Sequence, residues 1–162
     1  MSGLDDPGRL SAHRHTGRFD SRLAQGLDRL TVLARSLFGV RIAALSLGHA
    51  GHVALESVAG AAELPASRAL CAYVIADGTS LFVEDARTDP RFAGEPAVRE
   101  LGLVAYAGVP LHAGGGIVGG FCLIDELPRR WSRDDLERLQ DLGRVAETEI
   151  ELHLAATSSR PE

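Results

Sequence analysis

Lysine and asparagine are absent from this chain of 162 residues, so all 17 basic residues are arginine. Without lysine there is no Schiff-base chemistry and no phosphate-binding P-loop lysine; without asparagine there is no Cys-His-Asn nucleophile triad. Cysteine is scarce too. Cys71 and Cys122 are too few to staple a secreted scaffold and lack C-x-x-C spacing, and both sit in apolar runs, which predicts reduced, buried, unbridged thiols. A formal net charge of −5 supplies no basic footprint, so neither nucleic acid nor an anionic membrane is expected as a partner. No apolar run approaches the ~20 residues that span a bilayer. The start, Met1-Ser-Gly-Leu-Asp-Asp, lacks the charged-then-apolar order of a signal peptide, and a cytoplasmic location is expected.

What remains is the composition of one ordinary globular domain, 45% hydrophobic and 24% charged. Residues 1–18 show no hydrophobic period and read as a flexible tail. Phe19, Leu23, Leu27, Leu30, Ala34 and Leu37 then fall on one helical face that ends at Gly39. Val40 to Leu47, broken only by Arg41 and Ser46, and Val53 to Ala59 read as a hairpin about Gly48 to Gly51. A short helix from Ser67 carries Leu70, Cys71, Val74 and Ile75 on one face and stops at Asp77-Gly78. Leu81 to Glu84 is a short strand, and a connection rich in Asp, Arg and Pro leads to a helix that Pro96 opens and Gly102 closes. Leu103 to Leu111 and Ile117 to Ile124 form a second hairpin about Gly114 to Gly116.

The last helix is the best specified. Ser132 caps it, Asp135 reaches back to the cap, and Trp131 is placed to staple onto Leu136. Leu136, Leu139, Gly143, Ala146, Ile150 and Leu154 form one apolar stripe, with Leu142, Val145 and Leu152 in a second beside it. Residues 157–162 return to a polar tail or linker, which bounds a domain at 19–156. The order α, ββ, α, β, α, ββ, α predicts an α+β fold around a mostly antiparallel sheet.

Short motifs contribute little chemistry. Gly114, Gly116 and Gly119 satisfy G-x-G-x-x-G, but the run opens a strand and not a helix, so it predicts a hairpin and no dinucleotide site. His13, His15, His49 and His52 lack cysteine or glutamate partners at ligand spacing, and no metal site is expected. No G-x-S-x-G elbow occurs, and spacing identifies no catalytic residue.

Longer blocks are more informative. Leu70 to Phe92, Ala105 to Leu111, Val118 to Asp125 and Trp131 to Leu136 resemble the successive blocks of a GAF domain, closest to bacterial sensory examples. The resemblance covers about 20–155. It implies a sheet of five to six strands with the first and last helices on one face, and short helices and loops enclosing a small-molecule pocket on the other. It implies a non-catalytic sensory or regulatory module that binds a small molecule or mediates dimerisation, joined to an output domain or a signalling partner. Cyclic-nucleotide-binding relatives carry an Asn-Lys pair that this chain lacks, and bilin-binding relatives commonly follow the attachment cysteine with histidine, whereas Ala72 follows Cys71 and Leu123 follows Cys122. The alternative is a GAF enzyme that reduces free methionine sulfoxide through Cys71. Its partner cysteines belong in the 85–102 connection, which has none, and Cys122 is expected to point elsewhere.

The connection offers Asp85, Arg87, Asp89, Arg91, Phe92 and Arg99, with Cys71, Tyr73, Tyr106 and Cys122 as lining. Because guanidinium forks grip carboxylate or phosphate and rings cover aromatic ligands, a small anionic or aromatic metabolite is the expected ligand. The bland reading of the same residues lets Asp85 cap the turn, pairs Arg87 and Arg91 with Asp89, and buries Phe92 as a core plug. Gly108, on the face of Tyr106, leaves space for a ligand or for backbone. The second stripe of the last helix predicts a homodimer through Leu142, Val145 and Leu152.

Overall fold

The structure, a computed structural model, describes residues 21–49, 52–60 and 66–158. The elements run α1 (Ser21–Phe38), β1 (Ile42–His49), β2 (His52–Ala59), α2 (Ala66–Asp77), β3 (Leu81–Val83), α3 (Pro96–Leu101), β4 (Ala105–Ala113), β5 (Gly116–Asp125) and α4 (Arg133–Ser158). The strands form one sheet in the order β2-β1-β5-β4-β3, and every neighbouring pair is antiparallel. The chain crosses between β1 and β5 without a parallel pairing, as expected of an α+β architecture with helices segregated by face.

Alternation along the strands divides the interior in two. Ala43, Leu45, Leu47, Ala107, Val109, Leu111, Phe121 and Leu123 face α1 and α4. Ile42, Ala44, Tyr106, Cys122 and Ile124 face α2, α3 and the 85–102 connection. Both terminal helices therefore cover one side and the short elements the other. α1 buries Leu23, Leu27, Leu30, Ala34 and Phe38. The last turn corrects the sequence reading: Phe38, four residues after Ala34, continues the stripe, while Leu37 is half exposed. Phe19, placed first in that stripe, lies outside the described residues, as do the 1–18 and 159–162 segments.

Several of the described turns follow from their glycines. Gly39 and Gly78 have φ of +61° and +69° and end α1 and α2 in the left-handed conformation; Gly102 does the same after α3. Gly114 and Gly115, at +60° and +83°, join β4 to β5 in a two-residue turn, since Ala113 pairs with Gly116. Two successive positive φ values are the requirement of a type I′ hairpin, so the G-x-G-x-x-G run is consumed by strand pairing. The α4 carboxylates of Glu147 and Glu151 accept hydrogen bonds from the backbone N–H groups of His112 and Gly114 and hold this hairpin against the helix. One turn before Glu147, Gly143 lets α4 approach the sheet, since a Cβ there would stand 3.2 Å from Val109 Cγ2.

α4 begins as its sequence demands. The Ser132 hydroxyl accepts from the Asp135 N–H and the Asp135 carboxylate accepts from the Ser132 N–H, a reciprocal capping box. Trp131 does more than precede the cap: its indole N–H donates to the Val83 carbonyl at 3.0 Å, and its ring meets Phe82 edge-on. The residue latches α4 to edge strand β3. Ser132→Ala is expected to cost about 1 kcal/mol, the usual worth of such a cap, with the urea midpoint lowered and the slope unchanged.

Candidate functional site

The candidate site is the sheet face beneath α2. Leu70, Cys71, Val74 and Ile75 form the buried side of that helix, the face its spacing predicts. Below it, β4 and β5 present two small residues, Gly108 and Gly120, beside Tyr106 and Cys122. A Cβ on Gly108 would lie 2.6 Å from the Tyr106 hydroxyl, so the space that this glycine leaves is occupied by the tyrosine ring of the same strand. That answers the question left open between ligand and backbone: neither is needed to fill it.

Three polar side chains meet in this apolar setting. Cys71 Sγ lies 3.7 Å from Cys122 Sγ and 3.3 Å from Tyr106 Oη, and all three residues are fully buried. The expectation that Cys122 points elsewhere is thus overturned; Cys122 pairs with Ala44 and Gly108 in the sheet, and its side chain falls on the α2 face, directly under Cys71. The cysteines are free thiols, as the sequence implied. Burial pushes the Tyr106 hydroxyl well up, with negative charge at Cys71 as a further cause, so the phenol keeps its proton and serves as a donor. The hydrogen bond between the two sulfurs lowers Cys71 and outweighs burial, with Ser46 and Tyr106 adding to it. The same bond, reinforced by burial, pushes Cys122 well up. The two thiols titrate as a pair, and the first charge to form on it belongs on Cys71.

Ser46 is the member of this cluster that sequence reading missed. It is fully buried in β1, and its hydroxyl also reaches the Gly120 carbonyl at 3.4 Å. The available signal was a lone hydroxyl in a strand otherwise apolar on both faces.

The connection from Asp85 to Arg99 lies over the same face, but its charges turn away from the cluster. Asp85 binds Arg87 through two side-chain contacts of 2.8 and 2.9 Å, and Asp89 binds Arg91 in the same manner at 2.8 and 3.1 Å. Each aspartate also accepts the backbone N–H two residues on, the geometry of an Asx turn. The guanidinium hydrogen bond holds each carboxyl below the usual carboxylate range. Both arginines are more than half exposed, and Arg99 on α3 is exposed as well. Phe92, only 1% exposed, enters the core, and at its outer edge the exposed Tyr73 meets its ring edge-on at 5.1 Å while the Arg91 guanidinium stacks at 4.8 Å. Of the residues read as a ligand site, the structure brings together Cys71, Tyr106 and Cys122 inside, joins Tyr73 to Phe92 at the rim, and leaves Asp85, Arg87 and Arg99 outside.

Among the described residues, no group of three or more His, Cys, Asp or Glu converges as a metal site. The side chains of His49 and His52, and all of His13 and His15, lie outside those residues. No helix among them is long and apolar enough to cross a membrane.

The sequence pattern of the GAF domain family matches residues 22–150. A cyclic di-GMP phosphodiesterase of Pseudomonas aeruginosa is 34% identical over 91 residues, a stretch that makes up 54% of this chain and only 16% of that protein. The fold is similar to a domain of a two-component sensor histidine kinase protein from Sinorhizobium meliloti, with TM-score 0.70, 17% identity, and coverage of 88% of this chain and 100% of that one. It is equally similar to a free methionine-R-sulfoxide reductase from Neisseria meningitidis, with TM-score 0.71, 18% identity, and coverage of 90% and 86%. At such identities the likeness establishes fold and nothing of the chemistry.

Proposed function

Because the chain belongs to the GAF domain family, we propose that it is a non-catalytic sensory or regulatory module of bacterial signalling, and that it works as a homodimer through α1 and α4. The observation that carries this reading is the apolar surface left over after the core is complete. Val32, Leu33 and Leu37 on α1 and Val145 and Leu152 on α4 are 47–62% exposed, on the outer sides of the two helices that already bury a full stripe against the sheet. Arg29 borders both a hollow of about 690 Å³ that includes Leu152 and a groove of about 450 Å³ floored by Val32 and Leu33, so the two helices' exposed residues adjoin. Adjacent apolar stripes on terminal helices suit a helical bundle between subunits.

Leu142 leaves this surface. It is 9% exposed and packs in the core, because it lies three residues from Leu139 and four from Ala146 on the inner face. The proposed contact therefore rests on Val145 and Leu152 together with the α1 residues. An output domain or partner would read the geometry of the terminal helices, and a small anionic or aromatic ligand would have to draw Arg87 or Arg91 from its aspartate. Reduction of methionine sulfoxide at Cys71 is less well supported, since a thiol with no exposed surface meets no substrate of that size.

Light scattering of the full chain at micromolar concentration is expected to give a dimer. Val145→Asp and Leu152→Asp together are expected to give a monomer with unchanged circular dichroism, each weakening association at least about tenfold by burying an unpaired charge. A monomeric parent chain, or a double variant that remains dimeric, overturns the assignment.

A further inference from the structure

We propose that Cys71 and Cys122 are a peroxide-oxidisable dithiol, with Cys71 the attacking sulfur and Cys122 the resolving one, whose product is a disulfide joining α2 to the middle of the sheet. The two sulfurs already touch at 3.7 Å. A disulfide needs them at about 2.05 Å, a closing movement of under ~2 Å. The surroundings are not those of two thiols used as space-filling. Cys71 Sγ lies 3.3 Å from the Tyr106 hydroxyl, and an inert packing site requires no such polar neighbour. One S–H and one O–H facing the same sulfur in a dry site stabilise the thiolate there, and the thiolate is the reactive form. At Cys122 the bond with Cys71 and burial outweigh Tyr106 and the Ala44 backbone, so it keeps its proton until the second step.

The chemistry balances with a small hydroperoxide as oxidant. The Cys71 thiolate attacks the outer oxygen; an S–O bond forms, the O–O bond breaks, and the departing alkoxide or hydroxide takes a proton, leaving Cys71 as a sulfenic acid. Cys122 sulfur then attacks Cys71 sulfur; the S–S bond forms, the S–O bond breaks, and water leaves with the proton of Cys122. Two thiols and one hydroperoxide become one disulfide, one alcohol or water, and one further water. Because both sulfurs have no exposed surface, the oxidant must be small and neutral and must enter when α2 opens locally from the sheet. Closing the disulfide fixes that helix over the face the 85–102 connection also covers. The inference is independent of dimerisation and of any ligand.

The test uses the full chain, reduced and then treated with hydrogen peroxide, followed by denaturation, alkylation and mass spectrometry. Two alkyl adducts are expected before oxidation and none after, with a linked peptide pair containing Cys71 and Cys122 that dithiothreitol separates. In Cys122→Ser, dimedone is expected to trap a sulfenic acid on Cys71; should that variant fail to fold, dimedone added during oxidation of the parent chain maps the same position. Two adducts persisting after hours in excess peroxide, links only between chains, over-oxidised cysteines without a link, or a dimedone adduct on Cys122 would each overturn the proposal.

Discussion

Replacing Gly119 by alanine is expected to destabilise the domain by about 3 to 5 kcal/mol, at the upper end of what one methyl group does. Gly119 lies in β5, the middle strand of five, opposite Leu47 on one side and Leu111 on the other. A Cβ at this position would stand 1.9 Å from the Ser46 carbonyl oxygen and 3.0 Å from the Leu47 Cα. These are backbone atoms of the neighbouring strand, and no rotamer change relieves the overlap. The β1–β5 ladder must open, which exposes paired N–H and C=O groups at the centre of the sheet and loosens both interior faces together. Gly94→Ala is the control: a Cβ there meets nothing within 4 Å and the backbone is not left-handed, so the change is expected to be within about 0.5 kcal/mol of neutral. Urea denaturation of the two variants decides, and a loss below about 1 kcal/mol at Gly119 would show that β1 does not approach β5 as closely as described.

The elements whose signal is local were legible in the sequence. Ser132 and Asp135 form the cap that their spacing announces, Gly114 and Gly115 take the turn that two adjacent glycines allow, and Gly102 closes the helix that Pro96 opens. Of the aspartate–arginine pairs of the connection, Asp89 with Arg91 was legible, whereas Arg87, which the sequence reading gave to Asp89, binds Asp85 two residues before it. What escaped depends on long-range packing. Leu37 and Phe38 both satisfy a helical period, and only the position of the sheet decides which is covered. Leu142 reads as a second stripe until the crossing of α4 over the sheet turns it inward. Cys71 and Cys122 are 51 residues apart, and Ser46 lies on a third element; their meeting follows from strand order and the direction of each pleat, which no short window contains.

Phe92→Ala is expected to cost about 3 to 5 kcal/mol, the range for deleting a buried aromatic ring, whereas Arg87→Ala, which breaks an exposed pair, should cost less than about 1 kcal/mol. The contrast separates two descriptions of the 85–102 connection. If it were a lid over a ligand, Phe92 would be a mobile ring and its removal cheap, with the stabilising contacts residing in the arginines. The structure assigns the reverse: Phe92 is 1% exposed and wedged against Tyr73, while Arg87 is exposed and satisfied by its own aspartate. The backbone around it is tied down, since the Ala86 N–H donates to the Val104 carbonyl at 2.7 Å and the Phe92 N–H to the Asp89 carbonyl at 3.0 Å. Truncation of the ring leaves an apolar void beside Tyr73 and the inner side of α2, the kind of space that stays dry and accepts a small aromatic molecule. Saturating benzene is therefore expected to raise the thermal midpoint of Phe92→Ala and to leave that of the parent chain unmoved. A parent chain that gains equally would mean that the cavity exists without the mutation, and Phe92 would then be the door of a binding site and not its plug.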